Sequence, residues 1–430
     1  MKSIIYEIEL LIGGNMQIIF DLDGTLFQTR FCDINAINRL FDEFGLMRTE
    51  EQYITQNIGK KTEDFLSSIL PPNINIIDAS KRFRELEQSE VKENGILFPY
   101  IVEMLDNLIS KGHSLYLCSN GSIEYIELVL QRTKISQYFC EIHSAKYYAF
   151  KAEAVKNILN SNQSAIVIGD TFSDIEAAMS NYIPSIGVTY GYGNKDDISK
   201  ATFTADNAND IINYISQIEV FYHITHKLIY RGKRIIGING VDTSGKTVFT
   251  HKFSKYLDCI GIKNTILHID DFHNPSEIRY QGKNEVEAYY NNAFNYDQVI
   301  NEILKPLINN GYVDKNVLCL NLETDKYENN IHFDINSKTV LIIEGVLLFR
   351  EPMLEYLEGK IFLHIDFDEV IKRATLRDVP QYGIEFLQKY INKYIPIQKL
   401  YLSEHTPEQI SDIVINNNDY LNPTILSTIQ

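Results

Sequence analysis

The chain has 430 residues, too many for a single hydrophobic core, so two or three domains are expected. Its net charge of −17 argues against a broad nucleic-acid footprint, and a hydrophobic content of 44% makes disorder a poor default. The five cysteines (Cys32, Cys118, Cys140, Cys259, Cys319) are scattered and odd in number, as expected of reduced thiols in a cytoplasmic protein without a disulfide framework or zinc site.

No apolar run is long enough to span a membrane, and Glu7 and Glu9 interrupt Ile4–Ile12, which excludes a secretory segment there. Residues 1–15 have no place in the pattern that follows, and a natural start at Met16 is expected. Gln17–Phe20 then reads as an apolar strand running into Asp21, Asp23, Gly24 and Thr25. Residues two apart on an extended chain face the same way, so both carboxylates meet one site, where their repulsion invites a cation. An Asp-Gly turn after a strand would look the same.

Residues from about 32 to 94 carry helical periodicity. Ile34, Ile37, Leu40, Phe41 and Phe44 form one stripe, expected to be core. Ser114–Cys118 is a second strand, followed by Ser119, Asn120 and Gly121. Lys151 opens a helix patterned by Ala154, Val155, Ile158 and Leu159. Ala165–Gly169 is a third strand, followed by Asp170 and Asp174. Helices between strands imply a parallel sheet, and every polar residue singled out here falls where a strand ends, the edge at which such sheets bind ligands.

These four segments resemble the haloacid dehalogenase superfamily of phosphohydrolases over roughly residues 16–216. The resemblance implies Asp21 as the nucleophile that forms an aspartyl-phosphate, and Asp23 as the group that protonates the leaving oxygen and then activates water. It implies Asp170, Asp21, Asp23 (through its backbone carbonyl) and Asp174 as Mg²⁺ ligands, with Ser119, Asn120 and Lys151 on the phosphoryl group. Lys146 competes with Lys151 but lies farther from the helix start. The helical stretch becomes a cap over the substrate. Gly59-Lys60-Lys61 reaches in from it or forms a solvated surface pair, and the solvated pair is the preferred reading.

Asn207–Ile218 reads as the last helix of this half. Residues 219–232, with Val220, Phe221, Ile224 and Leu228, read as a packed or helical connector. Arg234–Ile238 is then a short β-branched strand before Gly240-Val-Asp-Thr-Ser-Gly-Lys-Thr247, and Val248–Leu257 is a helix. The loop fits G-x-x-x-x-G-K-[ST] in strand-to-helix context. Its amides and the helix N-terminus suit a polyphosphate, Lys246 suits the β- and γ-phosphates, and Thr247 suits Mg²⁺. The alternative is an ordinary Gly-rich turn.

Further on come a strand at Thr265–Ile269 and Asp270-Asp-Phe-His273, then Phe294-Asn-Tyr-Asp297 with a helix through Leu307. A strand at Thr339–Ile343 ends in Glu344, and Arg373 and Arg377 lie four apart on one helix face. This set resembles the uridine kinase and phosphoribulokinase family from about residue 233 to the C-terminus. The resemblance implies Asp270 as catalytic base, Asp297 on acceptor hydroxyls and Glu344 assisting Mg²⁺. It places Arg373 and Arg377 in a lid, and Gly240, Asp242, Thr243, Ser244, Gly245, Lys246 and Thr247 on ATP. Tyr289 and Tyr290 stack a base or, as preferred here, pack internally.

The expected fold is α/β, with two doubly wound parallel-sheet domains. The first (16–218) is Rossmann-like with a helical cap at about 32–94, and the second (233–430) is a P-loop kinase fold with a helical lid. The expected function is a cytoplasmic bifunctional enzyme: a Mg²⁺-dependent phosphatase of a small phosphorylated substrate and an ATP-dependent kinase of a nucleoside-like acceptor. Polynucleotide end processing, and a nucleotide-sensing role for one half, are the alternatives. Neither a membrane nor a nucleic acid is expected as a partner.

Overall fold

A computed structural model describes residues 15–58, 60, 62–160 and 163–428. The segment Ile4–Ile12, Gly59 and Lys61 lie outside them, as does all but Asn15 of the stretch before the expected start at Met16. Two compact units divide between Ile215 and Ser216.

In the first unit, the β-branched and aliphatic runs form six strands: β1 Gln17–Phe20, β2 Ser114–Ser119, β3 Phe139–Ser144, β4 Ala165–Gly169, β5 Ser185–Val188 and β6 Phe203–Ala205. They form one sheet in the order β3-β2-β1-β4-β5-β6, every pairing parallel. β1 and β4 are buried along their whole length, which explains why they are uniformly apolar instead of alternating. The strand order reverses between β1 and β4, so the residues leaving these two strands line a crevice.

Helices Thr29–Glu43, Glu51–Thr55, Thr62–Ile69 and Ile76–Asn94 occupy the interval between β1 and β2. They enclose their own core, with Ile34, Ile37, Leu40 and Phe41 facing Phe65, Phe83 and Leu86. Phe44 is a correction to the expected stripe. It caps the C-terminal end of the first helix, beyond the last turn, and is 38% exposed.

In the second unit the strands are β7 Ile235–Gly240, β8 Asn264–His268, β9 Tyr312–Asn321, β10 Lys326–Asn336, β11 Val340–Gly345, β12 Gly359–His364, β13 Ile413–Asn416 and β14 Thr424–Thr428. The main sheet runs β14-β13-β12-β7-β11-β8, parallel except for the edge strand β14. β9 and β10 form a separate antiparallel hairpin that the sequence reading did not anticipate. Its inward residues Val313, Val317, Phe333 and Ile335 join the unit's core.

The helix Ala208–Ile224 passes through the boundary between the units and continues as a π-helical turn, Thr225–Ile229. Phe221 lies within 5.2–5.7 Å, ring to ring, of Phe249, Phe253 and Tyr256 of the helix after the phosphate loop. The stretch expected to be a connector therefore supplies core to the second unit.

Candidate active sites

The first site lies at the C-terminal ends of β1 and β4. Asp21 leaves β1 and is 7% exposed, while Asp170 and Asp174, after β4, are 0% and 1% exposed. Carboxylate oxygens of all three lie within 4.8 Å of one another. The Nζ of Lys151, the first residue of its helix, donates to Asp21 Oδ1 and Asp174 Oδ1, both at 2.5 Å. Asp174 is further held by the amide and hydroxyl of Thr171 in a capping box. Asp170 accepts from the Tyr192 amide at 2.7 Å. Gly24, at φ +80°, closes over Asp170 so tightly that a Cβ there would lie 2.1 Å from its Oδ2.

Asp23 is held differently. Thr29 Oγ1 and Tyr125 OH donate to its Oδ1 at 2.5 and 2.6 Å, and Ser119 Oγ to its Oδ2 at 3.4 Å. Burial raises the Asp23 carboxyl above its usual range, against the pull of Thr29 and Tyr125. Burial also raises Asp21, with Lys151 opposing, and lifts Asp170 to about 7, with Asp174 adding repulsion. For Lys151, burial would lower the ammonium, but Asp174 and Asp21 outweigh it and hold it above its ordinary value. Three buried carboxylates with one lysine leave an excess of negative charge, so the donor set suits a hard, oxygen-seeking cation such as Mg²⁺.

All six residues expected here on side-chain grounds converge: Asp21, Asp23, Ser119, Lys151, Asp170 and Asp174. Asn120 lies next to them, on a cavity beneath the cap that also reaches Lys146. Thr29 and Tyr125 were not anticipated, because nothing local marks a threonine or a tyrosine as a partner of a carboxylate far along the chain.

The second site lies where β7 passes into the helix Lys246–Cys259. Gly245 at φ +86° and Thr243 at φ +58° turn the loop. Lys246 Nζ donates to the Val241 carbonyl at 2.9 Å, folding the side chain back over the loop. Thr247 Oγ1 donates to Glu344 Oε1 at 3.0 Å, and His268 Nδ1 meets the same oxygen at 2.6 Å. Burial would raise Glu344, but the His268 hydrogen bond and Lys246 hold it below its usual range. Burial raises Asp242, which accepts from Gln398 Nε2 at 3.3 Å. The Ser244 hydroxyl is buried without a hydrogen-bond partner among the described residues. A helix N-terminus, a lysine and a hydroxyl-carboxylate pair suit a Mg²⁺-polyphosphate.

Asp270 lies exposed after β8, and its carbonyl is 2.7 Å from His273 Nδ1. Asp297 is exposed in the first turn of the helix that begins at Tyr296. Tyr290 is buried in the core, with its hydroxyl on Glu404 at 2.6 Å. Arg373 does not point to open solvent. Its Nη1 donates to the Thr243 carbonyl at 3.3 Å, and its Nη2 to the Asn417 and Asn418 carbonyls at 2.6 and 2.9 Å. Arg377 pairs with Asp378 at 2.7 Å and donates to Tyr390 OH at 2.9 Å. Asn417, which the sequence did not flag, donates to the Ser244 carbonyl at 2.6 Å.

The folds and these sites define an α/β enzyme that joins a phosphohydrolase to a P-loop phosphotransferase. Residues 18–188 match the haloacid dehalogenase-like hydrolase family, and residues 235–396 match the phosphoribulokinase / uridine kinase family. A phosphoglycolate phosphatase of Agrobacterium fabrum is 28% identical over 187 residues, 40% of this chain and 80% of that protein. A 5'-nucleotidase of Pseudomonas aeruginosa is 24% identical over 190 residues, 42% of this chain and 86% of that protein. A solved structure described as a possible uridine kinase from Bacillus stearothermophilus is 22% identical, covering 43% of this chain and 88% of that chain, with a TM-score of 0.34.

Proposed function

We propose that the first unit hydrolyses small phosphomonoesters through an aspartyl-phosphate on Asp21 and that the second transfers a phosphoryl group from ATP to a nucleoside-like acceptor. The observation that carries this reading is that each unit ends its central strand in a charged phosphate-handling loop, Asp21–Asp23 in one and Gly240–Thr247 in the other. The names of the phosphatase and nucleotidase relatives support a phosphomonoester substrate.

In the first site, Asp21 attacks phosphorus in line with the leaving oxygen. Asp23, raised by burial and held by three hydroxyls, retains its proton until the leaving oxygen takes it, then accepts one from the incoming water. Lys151, Ser119 and Asn120 bind the phosphoryl oxygens. Asp21, Asp170, Asp174 and the backbone of Asp23 would hold Mg²⁺, which would supply charge stabilisation to the transferring phosphoryl group.

In the second site, Lys246 and the loop amides bind the polyphosphate, Thr247 and Glu344 would hold its Mg²⁺, and Asp270 takes the acceptor's proton. Asp297 binds acceptor hydroxyls. Arg373 and Arg377 belong to the proposed lid, and the bonds of Arg373 to the loop and to residues 417–418 give it a positioning role. We place the enzyme in the cytoplasm, a proposal supported by the absence of disulfides among its cysteines.

The test has two arms. Brief incubation with ³²P-labelled acetyl phosphate should give a hydroxylamine-sensitive label on the wild-type chain and none on Asp21→Asn. With uridine or cytidine as acceptor, Asp297→Ala should raise KM roughly tenfold to a hundredfold, the loss of a charge-assisted contact, while Asp270→Asn should lower kcat. No label, or no ATP-dependent phosphorylation of any nucleoside, would overturn the corresponding half.

A further inference from the structure

The cavity between the first site and its cap is lined on one side by two acids that the phosphatase chemistry leaves unused. Asp33 comes from the helix Thr29–Glu43 and Glu87 from the helix Ile76–Asn94. Burial and the neighbouring Asp33 raise the Glu87 carboxyl well above its usual range. Asp33 is 5% exposed, yet its Oδ1 has no hydrogen-bond partner among the described residues. A buried, unpartnered carboxylate oxygen is costly and calls for a donor. Asp23, the group assigned to protonate the leaving oxygen, borders the same cavity, so this is the space into which the leaving alcohol extends.

Lys60, Glu63, Arg84 and Lys146 line the cavity as well. Arg84 is already paired with Glu63. These three cations oppose an ammonium in the leaving group, which narrows the missing donor to a neutral hydroxyl. Size narrows it further. A cavity of about 70 Å³ takes about five to seven water-sized groups at roughly 10–15 Å³ each.

We propose that Asp33, backed by Glu87, is the specificity-determining residue of the phosphatase, and that its substrate is the phosphomonoester of a small polyol of about three or four carbons with a free hydroxyl against Asp33 Oδ1. The proposal rests on the reading of Asp21 and Asp23 as the phosphatase site. It separates this chain from a phosphatase for esters of a small carboxylic acid, because a substrate carboxylate would face Asp33 across the cavity with like charge. Its sequence signals are faint. Asp33 sits beside an apolar stripe, and Glu87 lies among the acids and amides of Glu85–Glu90.

The test compares kcat/KM for glycerol 1-phosphate, n-propyl phosphate, phosphoethanolamine and 2-phosphoglycolate with the full chain and Mg²⁺, acetyl phosphate serving as a donor that makes no demand on a second group. Glycerol 1-phosphate should exceed propyl phosphate by tenfold or more, and should exceed the amine and the carboxylate as well. Asp33→Ala should bring the glycerol-to-propyl ratio close to one, and Glu87→Gln should lower it less. Both substrates are read on one sample, so a poorly folded fraction cancels from the ratio. Turnover of acetyl phosphate with propyl phosphate, phosphoethanolamine or phosphoglycolate equal or superior to glycerol 1-phosphate overturns the inference alone. An unchanged ratio in Asp33→Ala does the same. Failure to hydrolyse even acetyl phosphate overturns the phosphatase reading and the inference with it.

Discussion

At the scale of single residues, Lys151 holds together a site that would otherwise repel itself. Among the described residues its ammonium is the only cation in hydrogen-bond contact with Asp21 and Asp174, and all three side chains are nearly inaccessible. Removing one partner of a buried ionic cluster typically costs about 3–5 kcal/mol. Lys151→Met should therefore lower the melting temperature of the first unit, and Mg²⁺ should restore part of that loss without restoring turnover. The pH dependence has a definite sign. A carboxyl raised in the folded state, such as Asp170 at about 7, favours folding below its unfolded value and loses that contribution as pH rises toward 7. Bound Mg²⁺ opposes that loss, so its stabilisation should be larger at pH 8 than at pH 6 in thermal melts. A Mg²⁺ shift independent of pH would contradict the assignment of the trio. These acids were legible in the sequence because each follows an apolar run at a strand end. Thr29, Tyr125, Asp33 and Glu87 were not, because helices distant along the chain deliver them.

At the scale of elements, the cap is fastened by Glu90. This residue is 6% exposed and accepts from Arg39 at 2.9 Å, Asn35 at 3.1 Å and Asn94 at 2.9 Å, linking the cap's first and last helices. Burial alone would raise its carboxyl, but Arg39, Asn94 and Asn35 hold it below the usual range. A carboxyl depressed in the folded state contributes stability above its unfolded value, about 4.3, and loses it as pH falls through the folded value. Glu90→Gln should destabilise the cap by about 1–3 kcal/mol near neutrality, seen as faster hydrogen exchange in the helix Ile76–Asn94. The gap from wild type should close below pH 4, and a constant gap down to pH 3 would exclude the ionic contribution. Periodicity gave away the cap helices, where Ile34, Ile37, Leu40 and Phe41 enter the core as a stripe should. It did not give away the hairpin β9–β10. Lys326–Asn330 and Lys315–Asn316 are polar and exposed, so alternation emerges only around Ile331, Phe333 and Ile335 and is too short to stand out.

At the scale of the whole molecule, each unit has a parallel sheet, a buried core and a charged loop of its own, and each set of expected catalytic side chains falls within one unit. The order of motifs along the chain made this division legible. The expected end of the first half at residue 218 falls within the helix Ala208–Ile224, three residues beyond the division at Ile215, and Phe221 of that helix lies against Phe249 and Phe253. Single substitutions should therefore separate the two activities. Asp21→Asn removes the proposed nucleophile of the first unit and should abolish phosphatase turnover while kinase turnover stays near wild type. Lys246→Ala removes a charge on which phosphoryl transfer depends and should do the reverse. Ligand-linked stability offers a readout that does not depend on turnover. MgATP at about a hundred times its Kd stabilises the folded state by about 2.7 kcal/mol. For a unit of this size that amounts to roughly 5–10 °C, and the shift should appear in one calorimetric transition only. It should survive in Asp21→Asn and shrink in Lys246→Ala. If either substitution silenced both activities in a protein that still melted normally, or if MgATP moved both transitions equally, the two sites would have to be treated as one.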